Sequence, residues 1–237
     1  MALPILTTPT YELEVPSTAT KIKYRPFLVK EEKVLLMAME SGENNQIIQA
    51  VKTIVSECTF NKVDLGNSPM FDIEYIFLQI RGKSAGEVSN IRLLCKDDGK
   101  TYADVEINLN DIEVHVTEEH TNKIELTDEM GMIMTYPTID SFMNTGINKI
   151  DSSNMLEVIA TCILQIYDKK GEEVFEAKDQ TKKELNDFIE QLNTKQFLKI
   201  QEFFDTMPKL QHLVKVKNPV TKVENEVMLS GLNDFFE

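Results

Sequence analysis

The residues of this chain that could ligate a metal are few and far apart. Cysteine thiolates and histidine imidazoles are the ligands that zinc prefers, and a structural zinc site needs four converging ligands. The candidates are Cys58, Cys95, Cys162, His115, His120 and His212. Cys95 stands alone in its turn, where the next possible ligand is Asp97 or Asp98, and the candidate second turn at residues 218–221 has no Cys or His. Because one thiolate cannot hold structural zinc, we predict no metal site and interpret the histidines as surface or strand residues.

Other catalytic signatures are missing from the sequence as well. It has no glycine-rich phosphate loop and no Gly-x-Ser-x-Gly nucleophile elbow. Asp97-Asp98-Gly99 lacks the ligand spacing and the closing glutamate of a calcium loop, so it predicts a tight hairpin turn. The carboxylates between residues 97 and 129 would suit a hydrolase only if two of them faced each other across a cleft, and no pattern places them so. We therefore predict a protein that is not an enzyme, with no catalytic residue, no cofactor and no small-molecule substrate.

Two segments repeat one order of elements, an amphipathic helix followed by two strands that a polar turn connects. They are residues 70–114 and residues 193–236. In the first segment the strand IRLLC returns as YADVEINL, and in the second HLVKV returns as KVENEVML. This is the outline of a zinc ribbon without its ligands. We therefore predict two ribbon-like helix–hairpin units that are stabilised by packing alone.

Helical and strand periodicities alternate along the chain without a β-α-β rhythm, which predicts an α+β fold of amphipathic helices and antiparallel hairpins. We expect a three-stranded sheet over residues 91–116 and a hairpin over residues 120–135. The apolar residues between 155 and 166 predict a buried helix face. Thr181 and Glu184 have the spacing of a capping box at the start of a later helix.

The length of 237 residues suits one elongated domain or two small ones. We divide the chain into an N-terminal α+β lobe, residues 1–145, and a C-terminal helical lobe, residues 146–237, that ends in a β-hairpin. The division follows the greater helical content of the second half.

The net charge of −14 lies mostly in the middle of the chain. Such a surface repels phosphate backbones, so we predict that nucleic acid is not a partner. A solvated face that keeps the protein soluble and a docking face for a basic partner both remain open. No stretch approaches the ~18 apolar residues of a membrane span, and the first residues lack the regions of a signal peptide. Three widely spaced cysteines fit a reducing compartment without disulfides.

The sequence GLNDFFE at the end of the chain carries three apolar residues, Leu232, Phe235 and Phe236. They either fold back onto the preceding hairpin or anchor in a neighbouring protein. A few buried aromatic residues dominate the energy of most protein interfaces. We therefore predict partner contacts at these three residues and at the ends of the hairpins, rather than in a deep pocket.

Three blocks of the sequence resemble a known family. They are PTYELEVPST…KIKYRPFLVKEEKVLLMAME, then DIEYIFLQIRGKSAGEV, and at the end FLKIQEFFDTMPKLQHLVKV…NEVMLSGLNDFF. In content and order these blocks resemble the baseplate hub subunit or hub assembly protein of T-even-type contractile-tailed bacteriophages. The resemblance covers nearly the whole chain.

The resemblance implies a late viral protein that acts in tail assembly at the baseplate hub, from which the tail tube grows. It implies either a structural subunit of the virion or an assembly chaperone, with other hub and tail proteins as partners. The implied locations are the host cytoplasm during assembly and the tail baseplate of the virion. In this family the two hairpins often carry cysteine pairs. This chain keeps only Cys95, which puts any metal role in doubt.

The ribbon outline by itself supports a function from another class. It is typical of a zinc-ribbon-like nucleic-acid or transcription adaptor, here one that has lost its metal ligands. The net charge of −14 opposes this alternative, because phosphate binding needs a basic stripe. Salt-sensitive DNA binding at low salt would support the adaptor over the tail protein.

Overall fold

The computed structural model describes residues 6–141, 155–170, 173–231 and 234 of the chain. Helices alternate with small antiparallel sheets, which confirms the predicted α+β fold. The helices are α1 (Val29–Ser41), α2 (Asn44–Cys58), α3 (Met70–Ala85), α4 (Met155–Thr161), α5 (Lys182–Glu190) and α6 (Thr194–Thr206). The strands are β1 (Tyr11–Val15), β2 (Thr20–Tyr24), β3 (Val88–Leu94), β4 (Tyr102–Asn108), β5 (Glu113–His115), β6 (Lys123–Glu125), β7 (Met130–Met134), β8 (Ile163–Asp168), β9 (Val174–Glu176), β10 (Lys209–Lys217) and β11 (Glu224–Ser230). None of the described helices is both long and apolar enough to cross a bilayer.

The contacts of the chain group it into two compact units. The first unit consists of Met1–His115 and Lys209–Glu237, and the second of Val116–Pro208. The second unit is an insertion in the sequence of the first, because β5 and β10 lie on either side of it and pair with each other. The final hairpin therefore groups with the N-terminal elements rather than with α4–α6. The predicted boundary after residue 145 lies outside the described residues and stays a prediction.

The three helices of the first unit differ in how much of their surface is buried. α1 ends at Ser41, and the next residue, Gly42, has the φ of +66° and the left-handed conformation that closes many helices. α2 buries one face, which consists of Ala50, Val51, Ile54, Val55 and Cys58. α3 buries apolar residues around most of its circumference, as expected of a helix with neighbours on several sides. α1 buries only Glu31 and Ala38 and leaves most of its apolar residues in solvent.

Two polar contacts, each made by a buried acidic side chain, hold the N-terminal elements together. The carboxylate of Asp72 on α3 accepts hydrogen bonds from the backbone N–H and the hydroxyl of Ser17, in the turn between β1 and β2. Burial raises the pKa of this carboxyl group above its usual value, and the bonds from Ser17 oppose the rise. The guanidinium of Arg25 donates to Glu31 at 2.9 Å, and the Arg25 backbone N–H donates to the Cys58 carbonyl at 2.9 Å. The second contact joins the start of α1 to the end of α2.

Both predicted successions of a helix and a hairpin are present, but only the first lies within one compact unit, because α6 groups with the second unit and the hairpin after it with the first. α3 leads into the β3–β4 hairpin, and α6 leads into the β10–β11 hairpin. The inward-facing side chains of the two hairpins share one core, which includes Ile91, Ile107, Val214 and Leu229 together with Leu78 of α3. The alternation of buried and exposed residues along these strands is the sequence pattern that predicted them.

The three-stranded sheet predicted over residues 91–116 is wrong in its third strand. β5 pairs with β10, where Leu210 lies opposite Val114, and the sheet order is β11-β10-β5. The reason is the turn that follows β4. The Asn108 side chain accepts the N–H of Asn110 at 3.1 Å, and a short 3₁₀ turn carries the chain away from the edge of β4.

The second unit has a four-stranded antiparallel sheet in the order β6-β7-β8-β9. The pairing of β6 with β7 confirms the hairpin predicted over residues 120–135. The core combines Met132 and Ile166 of the sheet with residues of all three helices, among them Ile159, Leu185 and Ile200. The capping box at the start of α5 is also confirmed, because the side chain of each member accepts the backbone N–H of the other.

The buried helix face predicted between residues 155 and 166 is only half correct. α4 ends at Thr161, whose hydroxyl donates to the Val158 carbonyl at 2.7 Å, and residues from Ile163 onward form β8. A short apolar run fits a buried helix or a buried strand equally well. Pairing with β7 on one side and β9 on the other decides the strand here.

Candidate interaction site

The polar turns of the two long hairpins meet in the first unit, and we call residues 95–101 and 218–225 together the hairpin junction. The first turn closes through a hydrogen bond from the Cys95 N–H to the Thr101 carbonyl at 2.8 Å. The Asp98 carboxylate accepts the N–H groups of Lys100 and Thr101, both at 3.0 Å, and the Thr101 hydroxyl at 2.6 Å. These bonds hold the pKa of Asp98 well below its usual value. Asp97-Asp98-Gly99 is thus the hairpin turn that its sequence predicts.

The second turn has the same plan, with Asn218 at the position that Cys95 occupies in the first. The Asn218 N–H donates to the Val223 carbonyl at 2.9 Å, and the Asn218 carbonyl accepts the Lys222 N–H at 3.0 Å. The Asn218 side-chain oxygen accepts the N–H groups of Val220 at 2.8 Å and Thr221 at 3.1 Å. Asn218 is fully buried, so a single amide side chain organises this turn from inside.

Asp97 joins the two turns. Its carboxylate accepts the Asn218 amide at 2.9 and 3.2 Å and the hydroxyl of Thr221. Its backbone N–H donates to the side-chain oxygen of Asn225 at 2.9 Å. The bonds from Asn218 and Thr221 hold the pKa of Asp97 below its usual value. Hydrogen bonds therefore link the two turns, which in a zinc ribbon are linked by the metal. The prediction that packing alone stabilises the hairpins is wrong.

Cys95 lies beside this network but has the character of a core residue. It is fully buried and packs with Ala103 and Val216. Burial raises the pKa of its thiol, and the charges of Asp97 and Asp98 add to the rise. A neutral thiol is a poor zinc ligand, since zinc binds the thiolate. Within the described ranges, no three His, Cys, Asp or Glu residues are grouped so that they could hold a metal ion.

The outer surface of the junction combines apolar and basic side chains. Val220 is 72% exposed, and the exposed side chains of Leu94 and Tyr102 lie opposite each other on β3 and β4. Lys96, Lys100 and Lys217 are also exposed. Their ammonium groups make no ion pair within the part of the chain that the structure describes, and the two aspartates of the junction are hydrogen-bonded to other groups. The hairpin ends predicted as a partner surface thus combine unpaired lysines with exposed apolar side chains.

The three residues predicted to anchor a partner, Leu232, Phe235 and Phe236, lie outside the described residues, so their role stays a prediction. Asp234, which lies between them in sequence, is described. Its carboxylate accepts the Ser230 N–H at the end of β11, at 2.8 Å.

One histidine has a defined set of partners that the sequence did not reveal. His115 is an exposed residue of β5, and His212 is a half-buried residue of β10. His120 in the second unit lies between Thr206, at 2.9 Å from Nδ1, and the hydroxyl of Tyr136, at 3.1 Å from Nε2. Its ring also packs against Phe203. Long-range contacts make this cluster, and no spacing in the sequence indicates it.

The bonds around His120 define which ring nitrogen carries the proton. The Thr206 hydroxyl donates to the Glu202 carbonyl at 2.7 Å, so it accepts from Nδ1–H of His120. Nε2 is then the acceptor for the hydroxyl of Tyr136. Both nitrogens of the neutral ring are satisfied, and protonation at Nε2 would put two donors face to face until the Tyr136 hydroxyl turned away.

We expect the second unit to lose stability as the pH falls below 6.5, the ordinary pKa of histidine. Burial lowers the pKa of His120 in the folded protein, so the unfolded chain binds the proton first and unfolding is favoured as the pH drops toward the folded pKa. Calorimetry between about pH 5 and pH 8 should show a smaller pH slope in His120→Gln than in the wild type. His115→Gln, which changes an exposed histidine, should keep the wild-type slope. Equal slopes in His120→Gln and the wild type would contradict this assignment.

Comparison with known proteins assigns the chain to a family. A family model described as T4 bacteriophage base plate protein matches residues 8–237. Searches of curated proteins and of solved structures gave no match. The matched region includes both helix–hairpin units, the hairpin junction and the second unit. Because the match extends over nearly the whole sequence, the chain belongs to the T4 bacteriophage base plate protein family.

Proposed function

We propose that this protein is a non-enzymatic structural protein of the baseplate hub of a T4-type phage, either as a subunit of the hub or as the factor that assembles it. The observation that carries this proposal is the family match over residues 8–237. Membership in a base plate family implies other tail proteins as partners and association with the virion. The assignment to the hub, rather than to the baseplate in general, is supported by the order of the three sequence blocks that resemble hub proteins.

Quantitative mass spectrometry of purified phage particles tests the proposal and separates its two forms. A hub subunit should occur in each particle at a fixed copy number, equal to that of other hub proteins. An assembly factor should be missing from particles but present with hub intermediates isolated from infected cells. Absence from both preparations would overturn the proposal.

We further propose that the hairpin junction and the C-terminal segment containing Leu232, Phe235 and Phe236 contact the tail partners. Exposed apolar side chains framed by charges are typical of protein interfaces, where the apolar centre supplies affinity and the charged rim supplies orientation. Val220 is the most exposed apolar residue of the junction, and Lys96 and Lys100 of its first turn are exposed, as is Lys217 next to its second turn. The junction itself carries as many lysines as acidic residues, but Asp97 and Asp98 are hydrogen-bonded within it, so Lys96 and Lys100 are left to pair with carboxylates of a partner.

Val220→Asp should leave the fold unchanged and impair baseplate assembly. Surface substitutions shift the free energy of unfolding by less than about 0.5 kcal/mol, so the melting temperature should stay that of the wild type. A charge placed at the centre of an interface should instead reduce the plaque count of a phage that depends on the variant protein. Val174→Asp, at an exposed valine of β9, is the matched control and should support normal plaque numbers. Normal assembly with Val220→Asp would exclude the junction as a contact surface.

Deletion of residues 232–237 tests the second half of the same surface. If the segment anchors a partner, the truncated protein should keep its melting temperature and lose the partner. A fall of several degrees, as expected from the loss of about 1–2 kcal/mol, would show instead that these residues belong to the core.

The nucleic-acid adaptor remains a second candidate because of the ribbon outline and the unpaired lysines of the junction. Phosphate contacts by Lys96, Lys100 and Lys217 would give binding that weakens steeply with salt. Gel-shift or anisotropy measurements at low salt distinguish the two functions. Binding that is lost in Lys100→Glu would favour the adaptor, and the absence of binding favours the tail protein.

A further inference from the structure

The outer face of α1 is an apolar surface that the described residues of the first unit leave exposed. Val29, Leu36 and Met37 are 80%, 53% and 60% exposed, although each is a large apolar residue on a regular helix. The inward face of the same helix is well defined, because Glu31 and Ala38 are buried and Leu35 is half-buried. Among the described residues, α1 therefore packs against the rest of the unit with one side only.

The exposed residues of α1 form one stripe with a symmetric charge pattern. Val29, Lys33, Leu36, Met37 and Glu40 follow the i, i+4, i+7, i+8, i+11 spacing that places residues on one side of a helix. Leu36 and Met37 are at its centre, with Lys33 one turn before them and Glu40 one turn after them. Lys33 and Glu40 are exposed, and neither makes an ion pair or a hydrogen bond within the described part of the chain.

We propose that this stripe is a homodimer interface, in which α1 packs antiparallel against α1 of a second copy. A two-fold axis that passes midway between Leu36 and Met37 brings these two residues against their counterparts. The same axis places Lys33 level with Glu40 of the second copy and Glu40 level with Lys33 of the second copy. At the 8–10 Å spacing of packed helices these side chains can reach each other. The stripe is thus self-complementary in both charge and hydrophobicity, as a two-fold interface requires.

The charges also specify the direction of the pairing. In a parallel arrangement with the helices in register, Lys33 would face Lys33 and Glu40 would face Glu40, and like charges at an interface are strongly unfavourable. The antiparallel arrangement replaces both repulsions with attractions. A 13-residue helix is only about 20 Å long, so the pair is a small interface, and we expect a reversible dimer that dissociates on dilution.

Sedimentation of the full-length chain over a range of concentrations tests the proposal. The wild type should change from monomer to dimer as its concentration rises through the micromolar range. Lys33→Glu and Glu40→Lys should each weaken the dimer at least about tenfold, because each turns two attractions into repulsions. Lys195→Glu, at an exposed lysine of α6, is the control for the change in net charge and should dimerise like the wild type.

A mixture of the two charge variants gives the sharpest outcome. In a heterodimer of Lys33→Glu with Glu40→Lys, every charge of one copy faces an opposite charge of the other. The mixture should therefore associate at least as tightly as the wild type, although neither variant does so alone. The double variant Lys33→Glu/Glu40→Lys should also recover the homodimer, because it reverses both members of each pair.

Three results would overturn the proposal. The first is a wild type that stays monomeric throughout the micromolar range and at the highest concentration of the series. The second is charge variants that dimerise as well as the wild type, and the third is a mixture that gains no affinity. A monomer that instead captures another tail protein through Leu36 and Met37 would assign the stripe to a different occupant and would equally reject the homodimer.

Discussion

Glu31→Ala is expected to lower the free energy of unfolding of the first unit by about 3 kcal/mol. The Glu31 side chain is 4% exposed, and its partner Arg25 is 10% exposed. One carboxylate oxygen accepts the Arg25 guanidinium at 2.9 Å, and the other accepts the Leu28 N–H at 2.8 Å at the start of α1. Removing the carboxylate leaves the guanidinium buried, and of the acceptors in the described residues only the Pro26 carbonyl, at 3.0 Å, still accepts from it. A buried charge that has lost its partner is among the largest single-residue penalties in proteins.

Glu32→Ala is the matched control for this variant, because Glu32 is the next residue of the same helix turn and is exposed. It should change the free energy of unfolding by less than about 0.5 kcal/mol. The chain has no tryptophan, so urea titration followed by far-UV circular dichroism is the suitable measurement. Equal effects of the two variants would show that the Arg25–Glu31 pair contributes little.

The pH dependence of the same pair follows from its pKa. Burial alone would raise the pKa of Glu31, but the hydrogen bonds from Arg25, Leu28 and Lys30 outweigh burial and hold the pKa below the ordinary value of 4.5. The pair therefore contributes its full stability above pH 4.5 and loses it as the pH falls toward the folded pKa. The difference between the wild type and Glu31→Ala should accordingly shrink in acid.

Asn218→Ala is expected to destabilise the first unit by about 2 kcal/mol, because this one buried amide side chain makes hydrogen bonds to both turns of the hairpin junction. It organises its own turn through Val220 and Thr221, and it donates to the Asp97 carboxylate. Asn218→Asp replaces only the amide group with a carboxylate. At neutral pH it should destabilise the first unit more than Asn218→Ala does, since the new carboxylate would face that of Asp97. Lowering the pH should restore part of that loss as one carboxylate becomes protonated.

Asn90→Ala provides the control for the junction, since Asn90 is an exposed residue of β3. Its free energy of unfolding should match that of the wild type. If Asn218→Asp and Asn218→Ala both behave like the control, hydrogen bonding at the junction is not what holds the two hairpins together. In that case the packing of Cys95, Ala103 and Val216 alone would suffice, as the sequence had suggested.

The junction also explains how a ribbon-shaped pair of hairpins can hold together with one cysteine. In a zinc ribbon, a single ion joins the two turns because it attracts ligands from both. Here the Asp97 carboxylate has the same central place, and the groups around it are donors rather than metal ligands. Asn218 stands where a cysteine of the second turn would fall. Its amide can serve both turns at once, because it has a donor and an acceptor on one planar group.

The sequence by itself determined the local elements of this protein. The period of the apolar residues predicted α2, α3 and the strands of both long hairpins, because helix and strand periods are set by backbone geometry. The capping box at Thr181 and the Asp-Gly turn at Gly99 were predictable for the same reason, since each is closed by groups a few residues apart. The α+β class follows from the order of those elements, and the family follows from the order of the sequence blocks.

Only the tertiary structure decided how the elements associate. The pairing of β5 with β10 joins residues almost a hundred positions apart, and the bond from Asn218 to Asp97 joins residues 121 positions apart. The residues after Cys162, which were expected to be helical, form the strand β8 because β7 and β9 pair with them on both sides. The role of His120 depends on Thr206, 86 positions away. Such contacts depend on which distant partner offers the best burial and pairing, and no local pattern of residue types encodes that choice.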